Sequence, residues 1–149
     1  MQPGHYTELF FLDEPTSLAA GHRPCAECRR DRYKAFGAAW ARAHSYEKPP
    51  SVRDIDAQLK RERTTRVGRD TAMLTTMPDG VVVKQLSSNN DYLIHAGRAL
   101  LWGFEGYTKA VELNDLKGPF RILTPASTVR VLSHGYKPEL HASCKSLLC

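Results

Sequence analysis

Residues 79–102, DGVVVKQLSSNNDYLIHAGRALLW, decide the fold of this chain. Their apolar residues form three short runs, at 81–83, 92–94 and 99–102, which are separated by glycine, asparagine and aspartate. Such runs, rich in β-branched and aromatic residues and bounded by turn formers, are typical of β-strands. The last two runs flank His-Ala-Gly-Arg at 95–98, which predicts a tight hairpin. We therefore expect an antiparallel β-meander or a small barrel.

The meander is expected to end in a helix. A further apolar run at 120–123 follows Gly118-Pro119 and predicts another strand. A helix should begin after Thr124-Pro125 and end at Gly135, because proline favours the first turn of a helix and glycine its C-cap. Residues 71–149 are therefore assigned to a β-rich unit with a terminal helix.

Helical patterns precede the strands. Tyr33, Phe36 and Trp40 recur at steps of three and four and predict an amphipathic helix over 29–44. After Pro49-Pro50, Ser51 and Asp54 have capping-box spacing for a second helix to about residue 63, in a charged linker spanning 49–70.

The N-terminal stretch 1–48 is expected to pack with the β-rich unit as one domain of the α+β class. Within it, residues 6–12 predict a buried strand that ends before Pro15, and residues 15–20 predict a short helix that Gly21 terminates.

Composition narrows the classes of function. The chain has 149 residues, 21 Lys and Arg against 16 Asp and Glu, and a net charge of +5. A basic surface favours nucleic acid or another polyanion as partner, and the alternative partner is an acidic protein. No run approaches the roughly 20 apolar residues of a membrane span, and the N-terminus has no pattern of a secretory leader. We therefore expect a cytoplasmic protein without a membrane partner.

The cysteines suggest a metal. Cys25 and Cys28 form a CxxC pair, the spacing that supplies half of most tetrahedral zinc sites. Closing the site needs two further ligands. The candidate ligands in the chain are His5, His22, His141, Cys144 and Cys149.

The residues around this pair resemble a known family. Phe10-Phe11-Leu12-Asp13 and then Leu18-Ala19-Ala20-Gly21-His22-Arg23-Pro24-Cys25-Ala26-Glu27-Cys28 are similar to the second half of the zinc-binding domain of Ada-type DNA alkylation-repair proteins, over about residues 7–36. The resemblance implies that Cys25 and Cys28 bind zinc and that the strand, helix, CxxC turn and following helix form a zinc-stabilised unit. It also implies a link to DNA repair or regulation.

The chain departs from that family in one important respect. The family's other two cysteines, including the methyl acceptor, precede the aromatic strand, where this sequence has no cysteine. Methyl-acceptor chemistry is therefore not expected. Three alternatives follow: the natural protein extends upstream of Met1, or His5 with Cys144 or Cys149 completes the site, or the turn holds no metal.

A zinc enzyme is the alternative function. Pro24-Cys25-Ala26-Glu27-Cys28 also resembles the PCxxC of zinc deaminases, which use an upstream HxE to hold the metal and shuttle protons. The chain offers His5 and Glu8 at a different spacing. A deaminase or a nuclease is thus weighed against a non-enzymatic binding protein, with no catalytic residue assigned.

Basic residues crowd the CxxC turn and predict the nucleic-acid contacts. Because helix N-termini normally carry acids, a basic cluster at this position indicates an anion site. A second basic stretch follows the charged helix, and we expect it to bind phosphate as a flexible segment. The residues expected to contact nucleic acid, with DNA favoured, are Arg23, Arg29, Arg30, Arg32, Lys34, Arg66 and Arg69.

The zinc prediction can be tested directly. Metal analysis of the purified protein should find about one zinc per chain, and Cys25→Ser should lower both zinc content and melting temperature, because structural zinc sites contribute folding free energy. A chain that keeps its melting temperature after strong chelation and contains no zinc contradicts the prediction.

Overall fold

The computed structural model describes residues 12–27, 29–64 and 74–148. Over these residues the chain is α+β, with five α-helices and one antiparallel sheet of five strands. The helices are α1 (Glu14–Ala19), α2 (Arg30–Ala43), α3 (Val52–Thr64), α4 (Ala126–Ser133) and α5 (Ser143–Leu148), and the strands are β1 (Val82–Gln85), β2 (Asn90–His95), β3 (Arg98–Gly103), β4 (Gly106–Glu112) and β5 (Phe120–Ile122).

The sheet is an open meander with one added strand. Its order is β4-β3-β2-β1-β5, so the first four strands are neighbours in sequence and β5 returns to pair with β1. The predicted hairpin is confirmed: His95 pairs with Arg98, and the turn residues Ala96 and Gly97 both have positive φ, at 52° and 77°. This is the type I′ geometry that matches strand twist, and it explains the glycine. The described strands do not close into a barrel.

Both faces of the sheet are covered by helices. Alternate residues point to opposite faces, and Val83 and Ile94 lie in a large core with Phe36 and Trp40 of α2. That core also holds Ile55 and Leu59 of α3 and Val131 of α4. On the other face, Val82, Leu93 and Leu100 pack with Ala19 of α1 and Cys144 of α5. Burial on both faces explains why these strands are continuous apolar runs.

The predicted helices α1 to α4 are present within a few residues of the expected bounds. Asp13 and Thr16 form a capping box at α1, and the hydroxyl of Ser51 accepts the Asp54 N–H at 3.1 Å at the start of α3. Gly21 and Gly135 follow α1 and α4 with φ of 94° and 102°. The strand expected at 6–12 lies almost entirely outside the described residues.

Two elements were not predicted. β4 is an edge strand whose middle residues Thr108 and Lys109 are exposed, so its sequence has no apolar alternation to detect. α5 has six residues at the end of the chain and packs on β4, where the Tyr107 N–H donates to the Ser143 hydroxyl at 2.8 Å. Because α5 lies after α4, the C-terminal helix is α5 and not the helix that the sequence predicted as terminal.

The three stretches of sequence share one hydrophobic core. Phe36 from 1–48, Ile55 from 49–70 and Val83 from 71–149 all lie in the larger cluster, each essentially inaccessible to solvent. None of the described helices has both the length and the apolar character needed to span a membrane.

Consecutive carboxylates at the start of α1 tie this helix to the C-terminal part of the chain. Asp13 accepts the Tyr107 hydroxyl at 2.9 Å and the His141 backbone N–H at 2.9 Å. Glu14 accepts the Tyr136 hydroxyl at 2.7 Å and the Glu139 backbone N–H at 3.1 Å. The side chain of Glu14 is only 3% exposed.

Two arginines balance the buried charge of Glu14. Arg32 donates from Nη2 to Oε1 at 2.6 Å, and Nη1 of Arg29 lies 3.5 Å from Oε2. Arg29 also pairs with Glu139, whose side chain is 60% exposed. A buried carboxylate is tolerated only when it is paired and hydrogen-bonded, as Glu14 is.

Glu14→Gln should therefore destabilise the chain by about 2–4 kcal/mol, because it removes the charge that two half-buried arginines face. The measurement is urea denaturation at pH 7 and 25 °C. Glu139→Gln is the matched control, since it removes an exposed partner of the same Arg29 and should cost less than about 1 kcal/mol. Equal losses for the two variants would show that burial of Glu14 is not what matters.

Candidate functional site

The CxxC turn lies between α1 and α2. Cys25 is half-buried, and its backbone carbonyl accepts the Arg29 N–H at 3.0 Å, so the turn leads directly into α2. Arg29 is the N-cap of that helix and makes no side-chain capping bond. Cys28, predicted as the second zinc ligand, lies outside the described residues.

The remaining zinc ligands are not assembled in the part of the chain that the structure describes. Within residues 12–27, 29–64 and 74–148, no group of three or more His, Cys, Asp or Glu side chains is placed to hold a metal ion. His5 and Cys149, like Cys28, lie outside these ranges, and so does Glu8 of the deaminase alternative. Zinc binding at Cys25 and Cys28 therefore stays a prediction.

Cys144, another predicted ligand, is placed in a hydrophobic environment. It is buried beside Leu93, Leu100 and Tyr107. Burial, reinforced by the negative charge of Asp13, raises the pKa of its thiol to about 11. Zinc binds the thiolate, which this environment disfavours. Packing gives Cys144 a structural role, and its role as a zinc ligand stays a prediction.

His141 is occupied locally. Its Nδ1 lies 2.9 Å from the Ser143 hydroxyl and accepts the Ser143 N–H at 3.1 Å. The ring therefore helps to start α5, which is a structural role.

Three of the predicted nucleic-acid contacts are engaged in internal ion pairs. Arg29 and Arg32 pair with Glu14, and Arg32 also lies 4.8 Å from the centroid of the Tyr136 ring. Arg23 makes a two-pronged pair with Asp56, at 2.9 and 3.1 Å. These contacts give the three arginines a role in holding α1, α2 and α3 together. Arg66 and Arg69 lie outside the described residues.

The other two predicted contacts are exposed on α2. Arg30 and Lys34 are one helical turn apart and form no ion pair within the described residues. Arg42 is also exposed near the other end of α2, about 120° around the helix axis from Arg30, and Arg130 of the adjoining α4 lies beside that end. We call these four residues the basic stripe.

The other two cations of the basic stripe form hydrogen bonds to neutral groups. Arg42 donates to the His134 carbonyl at 3.0 Å, and Arg130 donates to the Ala43 carbonyl at 3.4 Å. Carbonyl groups are neutral, so both exposed guanidinium groups remain available to an anion. Asp31 is the acid on this face of α2. Arg42 and Arg130 were not predicted as contacts.

The strand aromatics divide into core and surface residues. Tyr92 and Tyr107 are buried, and burial together with the Asp13 carboxylate raises the pKa of Tyr107 well above its usual range. Trp102 is half-buried and packs edge-on against Phe104 at 4.8 Å, and Phe104 is 89% exposed at the tip of the β3–β4 hairpin. This tip is a second exposed surface, distant in sequence from the basic stripe.

A cavity of about 600 Å³ opens between the end of α2 and α3. Its wall includes the aromatic rings of Trp40, His44 and Tyr46. The helical spacing of Trp40 predicts a core residue, and the sequence gives no prediction for His44 or Tyr46, because a cavity depends on how two helices and a loop meet. The step of four from Trp40 to His44 was the only signal.

The placement of Cys144 yields a test that separates packing from metal binding. Cys144→Ala should leave zinc content unchanged and lower stability by about 1–2 kcal/mol at pH 7. A thiol with a raised folded pKa stabilises the fold below its unfolded pKa of about 9, and that contribution is lost as the pH rises towards about 11. Urea denaturation at pH 7, 9 and 10 should therefore show a steeper decline for the wild type than for Cys144→Ala. Loss of zinc in the variant would instead identify Cys144 as a ligand.

Comparisons with models of protein families, with curated proteins and with solved structures find no match to this chain.

Proposed function

We propose that this chain is a non-enzymatic nucleic-acid-binding protein that contacts the phosphate backbone through the basic stripe. The observation that carries the proposal is the exposure of four cations, Arg30, Lys34, Arg42 and Arg130, on α2 and the adjoining α4. Phosphate contacts by lysine and arginine supply most of the sequence-independent affinity of such proteins.

The dimensions of the stripe suit a nucleic-acid backbone. Arg30 and Arg42 are twelve residues apart on α2, which corresponds to about 18 Å along the helix axis. This length is about half a turn of duplex DNA. Because phosphate contacts carry no sequence information, the expected recognition is of charge and shape.

The second part of the proposal is that zinc, held by Cys25 and Cys28, fixes the turn that precedes α2. Support comes from the CxxC spacing, from the resemblance to Ada-type zinc domains, and from the hydrogen bond that joins Cys25 to the first turn of α2. Zinc would supply no reaction step here. Its effect would be to hold the start of the helix that carries Arg30 and Lys34. A role in DNA repair or regulation follows from the same resemblance.

The test is the salt dependence of binding to a fluorescently labelled 20-base-pair DNA duplex. Four phosphate contacts predict that log affinity falls with log salt concentration with a slope of about −3.6. Arg30→Gln/Lys34→Gln should bring the slope to about −1.8, since each lost contact removes about one. Fluorescence anisotropy between 50 and 200 mM salt measures both slopes.

Lys109→Gln/Arg121→Gln is the matched control. It removes the same charge from exposed positions of β4 and β5 and should leave the slope within about 0.5 of the wild type. If the control loses affinity and the α2 variant does not, the phosphate contacts lie on the sheet, and the proposal is overturned. Displacement of the duplex by poly-glutamate as readily as by unlabelled DNA would also overturn it, in favour of an acidic protein partner.

A further inference from the structure

The cavity between α2 and α3 has the size and lining of a small-molecule site. Its volume of about 600 Å³ falls within the usual range for ligand pockets, about 300–1,000 Å³. It is bounded by α2 and the loop that follows, by α3, and by the start of α4. The residues on its wall include Trp40, His44, Tyr46, Pro50, Asp54 and Gln58.

One wall is a series of three rings that runs from the core to the surface. The centroids of Trp40 and His44 are 4.7 Å apart, and those of His44 and Tyr46 are 6.3 Å apart, with interplanar angles of 34° and 37°. Trp40 is 3% exposed and Tyr46 is 53% exposed. These tilted rings form an aromatic wall against which a flat ligand can pack.

His44 has a hydrogen-bonding atom that the described residues leave unused. Its Nδ1 lies 3.0 Å from the Trp40 carbonyl oxygen, which can only accept, so Nδ1 carries the proton. In the neutral ring Nε2 is then an acceptor. This atom is buried without a hydrogen-bond partner in the described part of the chain. A buried acceptor left unpaired costs about 1–3 kcal/mol, which a ligand donor would recover.

The other polar groups on the wall narrow the ligand further. Gln58, Glu62 and Ser127 are joined to one another by hydrogen bonds, including Gln58 Nε2 to Glu62 Oε2 at 2.7 Å. Arg61 donates to the Gln58 side-chain oxygen. Asp54 has an exposed carboxylate that forms no hydrogen bond or ion pair within the described ranges. Two acceptors on the wall form no hydrogen bond within the described ranges, the carboxylate of Asp54 and Nε2 of His44.

We infer that this cavity binds a nucleobase that carries an exocyclic amine. Stacking requires a flat aromatic ring, and the two unused acceptors require N–H donors, which amine-bearing bases supply on their edge. Because Nε2 is closed to solvent, a ligand donor reaches it only when a neighbouring group moves. The inference does not depend on phosphate binding by the basic stripe, and the base can come from a free nucleoside or from a nucleic-acid strand.

The experiment uses the full chain with Trp102→Phe, which leaves Trp40, beside the cavity, as its single tryptophan. Titration with adenosine and with purine riboside, the same nucleoside without the amine, should change Trp40 fluorescence. We expect adenosine to bind at least about fivefold more tightly than purine riboside, since one net hydrogen bond contributes about 1 kcal/mol. The stacking and hydrogen-bonding groups are then tested by two variants.

His44→Phe keeps an aromatic ring and removes the acceptor, so it should abolish the preference for adenosine. Tyr46→Ala alters an exposed side chain and should weaken both nucleosides about fivefold or more, with an unchanged melting temperature. No fluorescence change with adenosine, cytidine or guanosine up to 5 mM would overturn the inference. Equal affinity for adenosine and purine riboside would overturn it too, because the acceptors would then play no part.

The source of the base is distinguished by Arg30→Gln/Lys34→Gln in the same Trp102→Phe chain. This variant should bind adenosine as the parent does, since the cavity is separate from those two cations. If a short adenine oligonucleotide quenches Trp40 in the parent and fails to do so in the variant, the cavity takes a base from a bound strand. If the oligonucleotide quenches neither protein, the ligand is a free nucleoside.

Discussion

The buried carboxylate of Glu14 is the constraint on which the rest of the structure depends. It is 3% exposed, and its charge is met by Arg29, Arg32 and the Tyr136 hydroxyl. These partners come from the start of α2 and from the segment after α4, so one side chain joins three separate parts of the sequence. Burial and the hydrogen bond to Glu14 raise the pKa of Tyr136 above its usual range, which keeps its hydroxyl a donor. Asp13 joins the start of α1 to β4 and to the segment before α5, because its carboxylate accepts hydrogen bonds from Tyr107 and His141.

This arrangement changes what the basic residues beside the CxxC turn can do. In the sequence, Arg29, Arg30 and Arg32 form one basic cluster at the start of the helix. The sequence does not show which of these arginines lie close to an acid in the folded chain. Helical geometry turns Arg29 and Arg32 towards Glu14 and leaves Arg30 on the outside. The available positive charge therefore lies along the outer face of α2. If Glu14 lay far from Arg29 and Arg32, the whole cluster would be available to bind an anion.

Helices and turns that have a local sequence pattern could be predicted from the sequence. Periodicity placed α2, capping residues placed α1 and α3, and the turn at Ala96-Gly97 placed the β2–β3 hairpin. β4 and α5 could not be found in this way. β4 gains its stability from pairing with β3 and from contact with α5, although Thr108 and Lys109 face solvent. α5 is too short to be stable alone and depends on burying Cys144 against the sheet.

The same distinction separates the parts of the candidate site. A CxxC pair is a local pattern, and it can be recognised without the fold. The cavity has no such pattern, because Trp40 and His44 come from α2 and its C-cap whereas Asp54 and Gln58 come from α3. The packing of Ile55 and Leu59 in the same core as Trp40 helps to set the distance between those two helices. The buried Nε2 of His44 follows from that packing as well, since its partner Trp40 is held in the core and fixes the tautomer. An acceptor without a partner among the described residues at this position therefore depends on the folded arrangement of α2 and could not be found from the sequence.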